Sequence, residues 1–140
     1  MLRHLAILTC CILLVSAAYP AVSAETTAQY DHVSALDLIS GKPQQLPIKG
    51  MVTMVDLGAH SCIPCKMMTP IIEALSKEYE GRAVIAFIDV WEHREEGSKY
   101  GISSIPTQIF YDASGKEQYR HVGFMDKNSI VAKLSELGVK

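Results

Sequence analysis

Two cysteines separated by two residues, Cys62-Ile63-Pro64-Cys65, lie where an apolar run ends and a helical pattern begins. The apolar run, Met51–Leu57, is interrupted by Thr53 and Asp56, and its length and valine content are typical of a strand buried on both faces. A helix is predicted from Cys62 until Gly81, because apolar side chains recur there at helical spacing. The apolar positions of that helix are Met67, Ile71, Ile72, Leu75 and Tyr79.

The position of this cysteine pair predicts thiol–disulfide exchange. Unpaired backbone N–H groups and the positive end of the dipole at a helix N-terminus favour a thiolate over a thiol. Free cysteine has a pKa of about 8.5, and such a setting lowers it to roughly 3.5–7.5. Pro64 suits the first helical turn, where its missing N–H costs nothing. We assign Cys62 as the attacking thiol and Cys65 as the resolving thiol.

The rest of the chain predicts an α/β domain. Three further strands and two further helices are expected from the apolar periodicity and the turn residues. The predicted strands are Ala83–Val90, Thr107–Tyr111 and Glu117–Val122, and the predicted helices are His93–Tyr100 and Lys127–Leu137. The order β-α-β-α-β-β-α indicates a central mixed sheet, with a parallel βαβ unit followed by a C-terminal ββα unit and helices on both faces.

The first 24 residues have the layout of a secretory signal peptide. A short basic start precedes the uncharged run Leu5–Ala18, and small residues stand at a cleavage position before Glu25. An uncleaved membrane anchor over residues 5–24 is the alternative. Cleavage would remove Cys10 and Cys11, leaving an exported protein with one local dithiol. We expect residues 25–50 to be an N-terminal extension that packs on a domain of residues 51–140.

The composition fits one globular domain. The chain has 140 residues, of which 49% are hydrophobic and 20% are charged. Its formal net charge of −2 does not point to nucleic acid or to an anionic membrane surface. We expect a monomer that needs no cofactor and has no nucleic-acid partner.

Several separated segments resemble the thioredoxin family. Val55–Met67 is similar to that family's V-D-F-W-A-x-W-C-G-P-C-K-M, and the likeness resumes at Lys99–Thr107 and at Val122-Gly123. The resemblance implies the thioredoxin fold and a thiol:disulfide oxidoreductase that acts on protein disulfides or dithiols. The family motif also gives roles to single residues. It implies that Asp56 accepts the proton of Cys65, although a structural carboxylate remains the alternative.

The resemblance also implies a substrate-binding surface around the dithiol. Pro106 corresponds to the family's cis-proline facing the disulfide, and the backbone of Ile105 is expected to pair with an extended substrate. Ile63 and Pro64 between the cysteines complete this surface. The alternative for Pro106 is an ordinary loop proline before a strand.

The sequence departs from the family near the dithiol. Ser61 and Gly58 stand where the family has tryptophans, and Ile63 replaces a glycine. By our alignment Phe87 occupies a site where the family often has a lysine near the buried aspartate. His60 either tunes the thiolate or is an exposed loop histidine. We expect Trp91, the only tryptophan, to pack at a strand end.

The favoured function is that of a reductant, because Ile63-Pro64 supplies no charge that would strongly stabilise a thiolate. An exported reductant must be recharged, which implies a membrane electron donor. Two alternatives stay open. One is an oxidase or isomerase of secreted proteins, and the other is a soft-metal module that binds copper. The candidate ligands of that module are Cys62, Cys65, Met67, Met68 and His60, but we expect Met67 to fill the core.

Overall fold

A computed structural model describes residues 34–140 of the chain. The predicted signal segment, with Cys10 and Cys11, lies outside the described residues. Within residues 34–140, none of the helices is both long enough and apolar enough to cross a bilayer.

Four strands and four helices make up the described chain. The strands are β1 (Thr53–Gly58), β2 (Val84–Asp89), β3 (Thr107–Tyr111) and β4 (Glu117–Val122). The helices are α1 (Ala35–Leu38), α2 (Ile63–Glu78), α3 (Arg94–Lys99) and α4 (Lys127–Glu136). From β1 onward this is the predicted order, and the bounds of β3 and β4 agree with the predicted ones.

The sheet has the order β2-β1-β3-β4. β1 pairs in parallel with β2 and antiparallel with β3, and β4 pairs antiparallel with β3. Every residue of the central strand β1 is buried, as expected of a strand covered on both faces. The predicted α/β fold with a mixed sheet and flanking helices is confirmed.

Helices α2 and α4 cover one face of the sheet. Their buried side chains Met68, Leu75 and Leu134 join a cluster with Met54 of β1 and Phe110 of β3. Because side chains alternate along a strand, Asp56 points to the same face as Met54. The opposite face carries a second cluster, which includes Val55, Leu57, Ile88, Tyr100 and Ile109.

The prediction that Met67 fills the core is wrong. Met67 is 54% exposed, whereas its neighbour Met68 is fully buried. The buried residues of α2 follow one stripe from Cys65 through Met68, Ile72 and Leu75, at spacings of three and four residues. Met67 lies beside that stripe, on the solvent side of the helix.

Residues 34–50 lie against the outer strand of the sheet. Leu38 packs on Val84 and Ala86 of β2. Gly41 forms a parallel bridge with Ile88, and its carbonyl accepts a hydrogen bond from the Asp89 N–H at 2.8 Å. This segment therefore covers backbone groups that an edge strand would otherwise expose.

Candidate active site

The two cysteines open helix α2. Cys62 is the N-cap, and Pro64 lies in the first turn. The Cys62 Sγ accepts a hydrogen bond from the Cys65 backbone N–H at 3.4 Å. A disulfide joins Cys62 and Cys65, whose Cα atoms are 5.2 Å apart. One sulfur therefore faces the unpaired N–H groups of a helix end, where a thiolate is stabilised.

The predicted substrate-binding residues lie around this disulfide. Both cysteines are buried and form a cluster with Ala59, against which Ile105 packs. The Ile105–Pro106 peptide bond is cis. Ile63 is 77% exposed, so its apolar side chain is presented to solvent next to the sulfurs. The fold thus brings together two segments that are about 40 residues apart in sequence.

Asp56 lies in β1, with 1% of its surface exposed. Burial raises the pKa of its carboxyl from 3.8 to about 7, although a hydrogen bond from Gln108 opposes that rise. The Gln108 Nε2 donates to Asp56 Oδ1 at 2.8 Å. Asp56 is therefore poised to gain or lose a proton near neutral pH.

Gly58 connects the strand of Asp56 to Cys65. A Cβ atom added at Gly58 would lie 3.3 Å from Cys65 Sγ and 3.0 Å from the Phe87 ring. A tryptophan, which the resemblance would place here, has no room between these two side chains. Phe87 is also the β2 partner of Asp56 in the parallel register. Phe87 and Gly58 are thus two departures from the family pattern that depend on each other.

A cavity of about 70 Å³ lies beside Asp56. Asp56, His60, Glu73 and Phe87 line it together with Ile39, Thr69 and Ile72. The ring of His60 lies 5.1 Å from that of Phe87, between centroids. Such a volume is large enough for a few water molecules, and a polar lining suits them. His60 is exposed, as one of the two interpretations predicts.

Asp89 is a site residue that the sequence analysis missed. It closes β2 with 2% of its surface exposed. Its Oδ2 accepts from the His60 N–H at 2.8 Å, and its Oδ1 accepts from the Trp91 and Glu92 N–H groups at 2.9 and 3.1 Å. Burial raises its pKa, but the hydrogen bonds from His60, Glu92 and Trp91 outweigh burial and leave the pKa lowered.

Asp89 therefore fixes the loop that leads into the cysteines. The signal that could have found it is an acidic residue at the end of an otherwise apolar strand. The same signal applies to Gln108, a polar residue inside the apolar strand that follows Pro106.

The prediction that Trp91 packs at a strand end is wrong, because its side chain is 55% exposed. Asp89 holds its backbone, and the indole extends into solvent just beyond β2. Within residues 34–140, no three His, Cys, Asp or Glu side chains are grouped so that they could hold a metal ion.

The family model described as Thioredoxin matches residues 44–136. Among curated relatives, "Thioredoxin 2" of Chlorobaculum tepidum is 44% identical over 85 residues, which are 61% of this chain and 77% of the relative. The thioredoxin of Rickettsia bellii is 41% identical over 78 residues, which are 56% of this chain and 73% of the relative.

Solved structures give the same answer. The thioredoxin of Fasciola hepatica superposes with a TM-score of 0.56 at 32% identity, covering 63% of this chain and 82% of that one. A mutant thioredoxin of Halobacterium salinarum superposes with a TM-score of 0.55 at 30% identity, covering 61% of this chain and 74% of that one. The chain therefore belongs to the thioredoxin family, with Cys62 and Cys65 in the C-x-x-C position of a thiol:disulfide oxidoreductase.

Proposed function

We propose that this protein reduces protein disulfides in an exported compartment. The Cys62 thiolate attacks one sulfur of a substrate disulfide, forms a mixed disulfide and releases the other substrate sulfur as a thiolate. The Cys65 thiolate then attacks Cys62 Sγ and releases the second substrate sulfur. The substrate gains two electrons, and the enzyme is left with the Cys62–Cys65 disulfide.

The observation that carries the reductant role is the modest stabilisation available to Cys62. Its sulfur caps α2 and accepts the Cys65 N–H, while the intervening residues Ile63 and Pro64 carry no charge. A strong oxidant needs a highly stabilised reduced form. Thiolate stabilisation by a helix end without an added charge favours a lower, more reducing potential.

Proton transfer in this proposal belongs to Asp56. Cys65 is buried and must lose its proton before it attacks Cys62. Asp56 lies on the strand that reaches Cys65 through Gly58, and its pKa of about 7 suits a group that accepts a proton near neutral pH.

Substrate docking belongs to the rim around the disulfide. Ile63 and Pro64 are exposed on one side, and the cis Ile105–Pro106 bond lies on the other. An extended substrate that pairs with the backbone at Ile105 would bind with little dependence on its sequence.

The reductant role is tested by the equilibrium potential of the dithiol against glutathione. A potential near that of thioredoxin, about −270 mV, would support it, whereas one near that of a strong oxidase, about −120 mV, would overturn it. Insulin reduction with dithiothreitol tests the residue roles. Cys62→Ser should abolish turnover without trapping substrate, while Cys65→Ser should accumulate a mixed disulfide.

Export and recharging are supported by the signal-like residues 1–24. Expression of the full chain in a bacterial host, followed by fractionation and N-terminal sequencing, tests this part. We expect periplasmic protein that begins at Glu25 and is reduced only when a membrane electron donor is present. Cytoplasmic protein that retains Met1 would contradict it. Binding of one copper ion by an inactive wild type would favour the metal alternative.

A further inference from the structure

Gln108 and Asp56 form a buried side-chain pair inside the sheet. They face each other in the antiparallel register of β1 and β3. Gln108 is fully buried and Asp56 is 1% exposed. The pair is joined by one hydrogen bond of 2.8 Å, from Gln108 Nε2 to Asp56 Oδ1.

The other end of this amide is unused. Within the part of the chain that the structure describes, Gln108 Oε1 is buried and accepts no hydrogen bond. A buried acceptor without a donor is unfavourable, and native proteins seldom keep one without a reason. The amide already donates to the carboxylate, so its carbonyl oxygen is the atom available to a proton on the second carboxyl oxygen.

We propose that Gln108 is a positioning residue that holds the transferred proton on Asp56 as a carboxylic acid–amide pair. When Asp56 is ionised, the Gln108 N–H stabilises the carboxylate. When Asp56 is protonated, its O–H donates to Gln108 Oε1 while the existing N–H···O bond remains. The same amide thus supports both protonation states and orients the proton between them.

This inference rests on the proposed role of Asp56 in thiol–disulfide exchange. In that step the S–H bond of Cys65 breaks and an O–H bond forms on Asp56, with no change in oxidation state. The electron pair of the S–H bond stays on sulfur as the thiolate. Gln108 takes no part in the bonds that break or form and acts only through Asp56.

Other titratable groups face the same carboxyl. His60 and Glu73 line the cavity beside Asp56, and Cys65 lies against Gly58 on the same strand. Beyond Gln108, His121 of β4 is its register partner and contacts the Phe124 carbonyl. The cavity groups connect Asp56 to solvent, whereas Gln108 approaches it from the opposite strand. The amide therefore makes a contribution that variants of His60 or Glu73 leave unchanged.

The decisive experiment is infrared difference spectroscopy of the full chain in its disulfide form, taken across the titration of Asp56. A carboxylic acid that donates a hydrogen bond has a lower C=O stretching frequency than a free one. We expect Gln108→Leu to raise that frequency, and Gln118→Leu, an exposed glutamine on β4, to leave it unchanged. The apparent pKa of Asp56 should rise in Gln108→Leu, because the carboxylate loses its N–H donor.

A rise in the pKa without a change in the C=O frequency would overturn the proposal, since Gln108 would then serve only the carboxylate. No change in either would overturn it as well. If Gln108→Leu folds poorly, Gln108→Asn tests the same point, because a shorter amide should weaken both hydrogen bonds while it keeps the polarity. The Asp56→Asn background must abolish the infrared band. These spectra do not depend on redox direction, so the potential measurement can fail independently of them.

Discussion

Asp56 and Asp89 lie on adjacent parallel strands and point to the same face of the sheet, yet the fold gives them opposite acidities. Both are almost completely buried. The pKa of Asp56 is raised to about 7, whereas that of Asp89 is lowered. Asp56 accepts one side-chain amide, and Asp89 accepts three backbone N–H groups. The number of donors around a buried carboxyl, rather than burial by itself, decides whether it keeps its charge.

This contrast separates a group that exchanges a proton from a group that holds a loop. A carboxyl that titrates near neutral pH can accept a proton from a thiol. A carboxylate that stays ionised at that pH instead holds the residues between β1 and Cys62 in place. Two carboxyls of the same strand pair thus serve chemistry and geometry separately.

The largest expected effect comes from Asp56→Asn. The folded-state pKa of Asp56 is raised from 3.8 to about 7, so wild-type stability is highest below about pH 4 and falls as the pH rises to about 7. Above that pH the ionised carboxyl costs on the order of 4 kcal/mol, which an uncharged amide at this position would avoid. Urea unfolding from acidic to mildly alkaline pH measures this. Equal pH dependence of the two proteins would contradict it.

The next effect is loss of stability in Asp89→Ala. Three backbone N–H groups lose a charged acceptor, and we expect a loss of about 3 kcal/mol at neutral pH. The pH window is opposite to that of Asp56, because a lowered pKa contributes stability above about pH 4 that disappears as the pH falls. Asp112→Ala, at an exposed turn, is the matched control. A loss no larger than in that control would break the comparison.

Phe87→Lys should make Asp56 more like Asp89. An ammonium placed at the β2 partner of Asp56 favours the carboxylate, and we expect it to lower the pKa of Asp56 by about one unit. Carbon-13 NMR of the Asp56 carboxyl measures this directly. Phe87→Met provides an uncharged side chain of similar length as the control, and an equal change in both variants would refute an electrostatic cause.

Gly58→Ala should have the smallest effect, about 1 kcal/mol of destabilisation by overpacking. The added Cβ would come within 3.0 Å of the Phe87 ring and 3.3 Å of Cys65 Sγ. The second substitution Phe87→Leu should relieve most of it, because the clash is with the ring. Thermal unfolding of the single and double variants measures this, and a loss that the second substitution leaves untouched would place the strain at Cys65 instead.

Local pattern was sufficient for the elements and for the dithiol. The run at Met51–Leu57, the helix after Cys62 and the turn between β3 and β4 each carry their own periodicity and breakers, so their approximate bounds follow from neighbouring residues. The choice between Met67 and Met68 did not follow. Both are apolar and adjacent, and only the direction in which α2 meets the sheet distinguishes them.

The sequence by itself determined that a dithiol opens a helix after a buried strand, because strand length, helical spacing and the C-x-x-C motif are properties of contiguous residues. Only the tertiary structure decided which donors surround each buried carboxyl. Gln108 reaches Asp56 and the His60 backbone reaches Asp89 through the pairing of β1 with β3 and with β2, which joins residues far apart in the chain. Burial and hydrogen bonding act through space, so the acidity of the site depends on that pairing.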